Sequence, residues 1–141
     1  MSEWTIGDIV DAIADVIPDR TMLVCGDRRT TYGEMAQRTR LFANFLAGLG
    51  FGVHRERDEL DNWECGQDRV ALIMYNDRYP ELVVGALKAR TVPVNVNHHY
   101  TPREVAELLD ALHLQRLQRA GREFRVLRQL LADLLAGYIS I

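Results

Sequence analysis

The feature that most limits what this chain can fold into is the stretch at residues 69–102, RVALIMYNDRYPELVVGALKARTVPVNVNHHYTP. It holds an apolar run from Val70 to Met74, a polar turn, an amphipathic stretch and a second apolar run from Val92 to Val96. A run without alternation is what a strand buried on both faces shows, whereas a half-buried strand alternates. Pro93 lacks an N–H and suits the start of a strand better than its middle. Between the runs, Leu82, Val83, Ala86 and Leu87 share one helical face that can cover a sheet. The order predicts a βαβ unit with parallel strands and a right-handed crossover. Its first turn, Met74 to Asp77, holds no glycine, so it cannot bring backbone amides close to a phosphate as a nucleotide-binding turn does. The segment reads as scaffold.

Upstream, Thr5 and Asp8 form a variant capping box, and Ile6, Ile9, Val10, Ile13, Val16 and Ile17 follow at helical spacing. This predicts a helix that packs that face on a core and stops at Pro18. Thr21 to Cys25 and about Arg29 to Tyr32 predict a hairpin turning at Gly26-Asp27. Thr31 and Glu34 cap a helix to about Leu49, with Tyr32, Met35, Ala36, Thr39, Phe42, Ala43 and Leu46 inside. Gly48 and Gly50 can take positive φ at its end. Thr101, Pro102 and Glu104 open a further helix, with Val105, Leu108, Leu109 and Leu112 on its apolar face.

Residues 51–68, FGVHRERDELDNWECGQD, hold no period and predict a charged surface loop with a helical turn, pinned by Trp63. His54 and Cys65 lie there without tetrahedral ligand spacing, so a solvated loop is preferred to a metal site. His98 and His99 are adjacent and expected to point apart, as incidental loop residues rather than a ligand pair or general base. Lys88, the single lysine, lies off the Leu82-Val83-Ala86-Leu87 face and reads as a surface lysine rather than a phosphate ligand. Cys25 and Cys65 have no CxxC spacing, and the opening MSEWTIGDIV has no basic region before an apolar stretch; both suit a cytoplasmic chain with reduced thiols. No apolar run approaches the roughly 18 residues of a membrane span.

The ordered series TTYGEM, DRVALIMYN, a helix ending GALKA, VPVNVN, Tyr100 and TPREVAELL resembles the adenylate-forming (AMP-dependent) superfamily of acyl-CoA synthetases and ligases. Over about residues 4–110 it is most similar to bacterial fatty-acyl-CoA synthetases. The resemblance implies an α/β fold: the N-terminal subdomain of such an enzyme, a mixed sheet with a βαβ unit and flanking helices. It also implies, for the full-length family, ATP-dependent activation of a carboxylic acid to an acyl-adenylate and then acyl-CoA, with ATP, Mg and coenzyme A. Two departures stand out. Residues 51–68 replace the family's short Gly/Asp linker, and Arg90 stands where the family commonly has a glycine in left-handed conformation, at a cost of about 1 kcal/mol.

The chemistry of adenylation needs a Gly/Ser/Thr-rich loop around phosphates, cationic groups and a divalent metal. The chain has no GxxxxGK[ST] and no Ser/Thr-Gly-rich run ending in lysine. No residue is therefore assigned a catalytic, cofactor-binding or metal-binding role, and this chain is expected to be inactive alone. The alternative is a non-catalytic interaction module that self-associates or docks on a full-length synthetase through a C-terminal helix.

That helix lies in a compositionally distinct tail. Residues 1–112, read as the AMP-binding portion, carry 12 basic and 18 acidic side chains. Residues 113–141 carry Arg116, Arg119, Arg122, Arg125 and Arg128 against Glu123 and Asp133, a basic amphipathic tail with Leu117, Phe124, Leu131 and Tyr138 in heptad-like register. It reads as a helix packed on the domain or on a second copy, as a segment translated out of frame, or, least favoured, as a membrane-surface helix, because the arginines drift around the helix. Nucleic-acid binding is disfavoured on an acidic chain without aromatic interleaving.

Overall fold

In the computed structural model, which describes residues 4–75 and 77–111, the helix starts follow their caps. Helix α1 (Ile6–Val16) opens at Thr5, whose hydroxyl accepts from the Asp8 N–H while the Asp8 carboxylate accepts from the Thr5 N–H. Helix α2 (Tyr32–Gly48) opens on the same reciprocal pair made by Thr31 and Glu34. Helix α3 (Tyr79–Lys88) instead carries Pro80 in its first turn, where a missing N–H leaves no bond unmade. Helix α4 (Pro102–Ala111) returns to a box, between Thr101 and Glu104. Each box satisfies two of the N–H groups that a helix start leaves without intrahelical partners.

The chain divides into two units, residues 1–99 and 100–141. In the second, α4 is the described element, and the expectations for residues 113–141 lie outside the described residues. In the first, strand β1 (Thr21–Cys25) pairs antiparallel with β2 (Arg28–Thr31). Gly26 takes φ +59° in the turn between them. Strand β3 (Arg69–Ile73) pairs parallel with β4 (Val92–Val96), in register from Arg69 opposite Val92 to Ile73 opposite Val96. The βαβ unit is thus present, with α3 between its strands.

Parallel and antiparallel pairing are divided between two small sheets. One expectation fails at β3: only Leu72 is buried, and Ile73 is half exposed. A two-stranded sheet has little surface to hide, and α3 lies chiefly along α2 rather than over the strands.

The core is mainly a helical layer, joined by Leu72 of β3 and Val96 of β4. From α2 it takes Met35, Ala36, Thr39, Ala43 and Leu46, buried as their spacing predicts, while Tyr32 and Phe42 of the same expected face are half-buried. From α3 it takes Gly85 and Ala86, and from α1 Gly7, Val10 and Ala14. The contacts are made where side chains are small. A Cβ on Gly85 would lie 2.8 Å from Phe42 Cδ1 and 2.9 Å from the Thr39 carbonyl oxygen. A Cβ on Gly7 would lie 2.7 Å from Lys88 Cγ.

This close approach overrules the expected faces of two helices. On α1 the small-residue stripe is buried, and Ile6, Ile9 and Val16 are left 57%, 47% and 79% exposed. On α3 the expected Leu82-Val83-Ala86-Leu87 face contributes one buried residue, Ala86, while Glu81 and Gly85 turn inward. Residues four apart share a helical face, so seating Gly85 against α2 carries Glu81 in with it.

Candidate functional site

Glu81, in the first turn of α3, is a buried carboxylate that gathers three guanidinium groups. Its Oε1 accepts from Arg28 Nη1 at 3.2 Å and Arg38 Nη1 at 3.1 Å, and its Oε2 from Arg78 Nη1 at 3.4 Å. The carboxylate is 7% exposed and the three arginines 21–27%. Arg28 also donates to the Asp77 carbonyl. The cluster ties β2, α2 and the entry to α3 to one carboxylate that also lies at the positive end of a helix dipole. Sequence reasoning missed it, because Arg28 and Arg38 lie 53 and 43 positions from Glu81. The one local signal is an acid in a helix's first turn, which names no partner.

Lys88 is not a surface lysine. Its side chain is 9% exposed, with Nζ 2.6 Å from Asp11 Oδ1 and its stem against Gly7. Arg40 approaches the same Asp11 oxygen at 3.4 Å. Burying the ammonium requires a paired carboxylate, and Asp11 supplies it across the α1–α3 contact. Lys88 therefore serves the scaffold.

Arg90 adopts the left-handed conformation expected of it, φ +57°. Its guanidinium donates to both oxygens of Glu56, at 3.0 and 2.7 Å. The hydrogen bonds hold the Glu56 carboxyl below the usual range and raise the guanidinium further. The Arg90 carbonyl accepts from Gln67 Nε2 at 2.8 Å. Both partners lie in the 51–68 segment, so the residue that departs from the family's glycine is also the anchor of the departing loop.

That loop contains the expected turn of helix, Arg57–Glu59, and a bridge between Val53 and Gln67. His54 Nε2 lies 2.5 Å from Asp68 Oδ2, which also accepts from the Gly52 N–H at 3.0 Å. Arg55 donates to both oxygens of Glu64, at 3.2 and 3.1 Å, and these bonds hold the Glu64 carboxyl low. Trp63 does not pin the loop: it is 82% exposed. Ion pairs and hydrogen bonds supply the cohesion that an aromatic anchor was expected to give. Cys65 and Cys25 are both free and exposed. Among the described residues no group of three His, Cys, Asp or Glu side chains could hold a metal ion.

His98 and His99 do not point apart. Their ring centroids lie 4.0 Å apart, and Tyr75 stands 4.7 Å from His98. The three rings sit beyond the carboxyl ends of β3 and β4, the edge where parallel sheets usually hold ligands. They are exposed, and the His99 N–H donates to Asn97 Oδ1 at 3.0 Å. The rings meet at tilted angles, 51° between Tyr75 and His98 and 42° between the two histidines.

In these features the charged groups named hold elements of the chain to one another. Residues 10–118 match the AMP-binding enzyme family. The chain is 39% identical over 107 residues to the medium-chain acyl-CoA ligase Mig of Mycobacterium avium, a match covering 75% of this chain and 20% of that protein. It is 34% identical over 102 residues to a long-chain-fatty-acid–CoA ligase of Haemophilus influenzae, covering 72% of this chain and 16% of that protein. Among solved structures, a benzoate CoA ligase from Burkholderia xenovorans superimposes with TM-score 0.65 at 26% identity, over 79% of this chain and 20% of that one. The N-terminal domain of FACL13 from Mycobacterium tuberculosis does so with TM-score 0.62 at 29% identity, over 76% and 25%. The chain thus spans about a fifth of the length of the curated relatives it matches. No helix among the described residues is long and apolar enough to cross a membrane. By sequence and by fold, the chain belongs to the AMP-binding enzyme family.

Proposed function

We propose that this chain is the N-terminal scaffold portion of an ATP-dependent acid–CoA ligase and does not form an acyl-adenylate by itself. The observation that carries the reading is the family match over residues 10–118 in a chain whose 141 residues hold no phosphate-cradling Gly/Ser/Thr-rich run. The names of the M. avium and H. influenzae relatives support a fatty acid as the substrate class of the complete ligase. Its reaction would join the acid to the α-phosphate of ATP, release pyrophosphate, and pass the acyl group to the thiol of coenzyme A with loss of AMP.

The described residues do not fit the nucleotide or its magnesium. Lys88 is committed to Asp11, and Glu81 to three arginines. No chemical step is therefore assigned to these residues. The two free thiols support a reducing, cytoplasmic setting.

An ATP–pyrophosphate exchange assay tests the reading, using the purified 141-residue chain with medium- and long-chain fatty acids. The expected result is exchange no faster than the acid-free control. Acid-dependent exchange would overturn it.

A second reading, a non-catalytic interaction module that docks on other polypeptides, is favoured by one observation: the apolar outer face of α1 is left uncovered in its own unit.

A further inference from the structure

From the ring cluster at the carboxyl ends of β3 and β4 we infer that His98 and His99 form an open, two-imidazole site for a late divalent transition metal of the nickel–copper type. Adjacent loop histidines are poor joint ligands when their side chains diverge, and divergence is the expectation that the structure overturns. The two ring centroids lie 4.0 Å apart, with their planes tilted by 42°. The Tyr75 ring packs on His98 at 4.7 Å and restrains it. Both histidines are exposed, and among the described residues neither imidazole has a hydrogen-bond partner; the bond at His99 is made by its backbone N–H. His54 differs, since its Nε2 lies 2.5 Å from Asp68 Oδ2. A neutral imidazole without an internal partner keeps a nitrogen lone pair for a metal.

The spacing of the rings chooses among metals. With metal–nitrogen bonds of about 2.0–2.1 Å, two imidazoles at about 90° on one ion hold their centroids about 4.5 Å apart, and at a tetrahedral angle about 5.2 Å. The 4.0 Å separation is nearer the right-angled arrangement, which belongs to tetragonal Cu2+ and octahedral Ni2+ rather than to tetrahedral Zn2+. Closing the remaining gap of about half an ångström needs only a small turn of two exposed rings within their rotamer wells. Among the described residues no third His, Cys, Asp or Glu joins the pair, so water fills the other coordination positions. Magnesium and calcium take oxygen ligands and are disfavoured by two imidazoles. The site is therefore separate from the magnesium of the adenylation reaction, and the inference stands or falls independently of the ligase reading.

The test is isothermal titration calorimetry of the untagged, full-length chain with Ni2+. Every sample carries Cys25→Ser and Cys65→Ser, so that the two exposed thiols do not compete for the metal. One Ni2+ should bind per chain, at least as tightly as Zn2+, and Mg2+ should not compete. Either His98→Gln or His99→Gln should weaken Ni2+ binding at least about tenfold, because a single imidazole does not chelate. Tyr75→Ala, which frees the His98 ring, should weaken it by about two- to fivefold, whereas Tyr75→Phe should leave it unchanged. A variant with both remaining histidines replaced, His54→Gln with His113→Gln, should bind as the parent does. Circular dichroism verifies that each variant keeps its fold. Absence of Ni2+ binding, or binding that survives His98→Gln or His99→Gln, would overturn the inference. So would binding that disappears with His54 and His113, or a preference for Zn2+ over Ni2+.

Discussion

The helical layer and the 51–68 loop are both well ordered by local bonding, yet they are held by different forces. In the layer, glycine and alanine bring α1, α2 and α3 close enough to bury Met35, Leu46 and Val10, and the ion clusters at Glu81 and Lys88 are carried inside with them. In the loop, exposed pairs such as Arg55 with Glu64 and Arg90 with Glu56 hold the chain, while its one tryptophan stands in solvent. The same kind of ion pair therefore has different consequences. In the layer, removing Glu81 takes away the carboxylate that three part-buried arginines share. In the loop, water replaces a lost partner, and exposed pairs are worth little.

The largest break in that contrast is Glu81→Ala. It leaves three part-buried arginines around an empty place, and a loss of about 3–5 kcal/mol is expected from urea denaturation. Glu81→Gln, which keeps an accepting oxygen, should lose less. If Glu81→Ala costs under about 1 kcal/mol, the cluster behaves like a surface pair and the contrast is wrong.

Next in size is Gly85→Ala. Helix propensity alone favours alanine by about 1 kcal/mol. The new methyl would meet the Phe42 ring and the rigid Thr39 carbonyl, so a net loss of about 1–3 kcal/mol is expected. A raised thermal midpoint would show that α2 and α3 can move apart freely.

The smallest effect sharpens the loop side. Glu56 and Glu64 have carboxyls held below the usual range by Arg90 and Arg55. A depressed folded-state pKa contributes stability that is present above the ordinary glutamate value and lost as pH falls through the lowered one. Amide protection factors in residues 53–67 should therefore fall below about pH 4, ahead of those of the buried amides of α2. Simultaneous loss of protection in both regions would show that the loop is part of the same cooperative unit.

Much of this molecule was readable before any coordinates. Thr5, Thr31 and Thr101 announce their helices because a cap acts within four residues. Gly26 announces its turn, and Arg90 its left-handed φ, because backbone geometry is local. The order of strand, helix and strand implied parallel pairing, and the ordered motifs pointed to the family that the comparisons then showed.

Other features were misread for a shared reason. Periodicity says which residues of α1 lie on one face, but not which face meets a neighbour. Ile6, Ile9 and Val16 looked like core because they are apolar; Gly7 and Ala14 took the core because they are small. Trp63 was expected to be an anchor by its chemistry, and the loop had already closed on ion pairs. His98 and His99 were expected to point apart because they are adjacent in a loop, and the turn after β4 brings their rings together.

The sequence by itself determined the elements, their caps, their pairing sense and the family, since each depends on residues near one another or on their order. Tertiary structure alone decided the buried faces of α1 and α3, the three arginines on Glu81 and the burial of Lys88. Those outcomes depend on how closely two helices can approach, and that distance is set by the side chains of both at once.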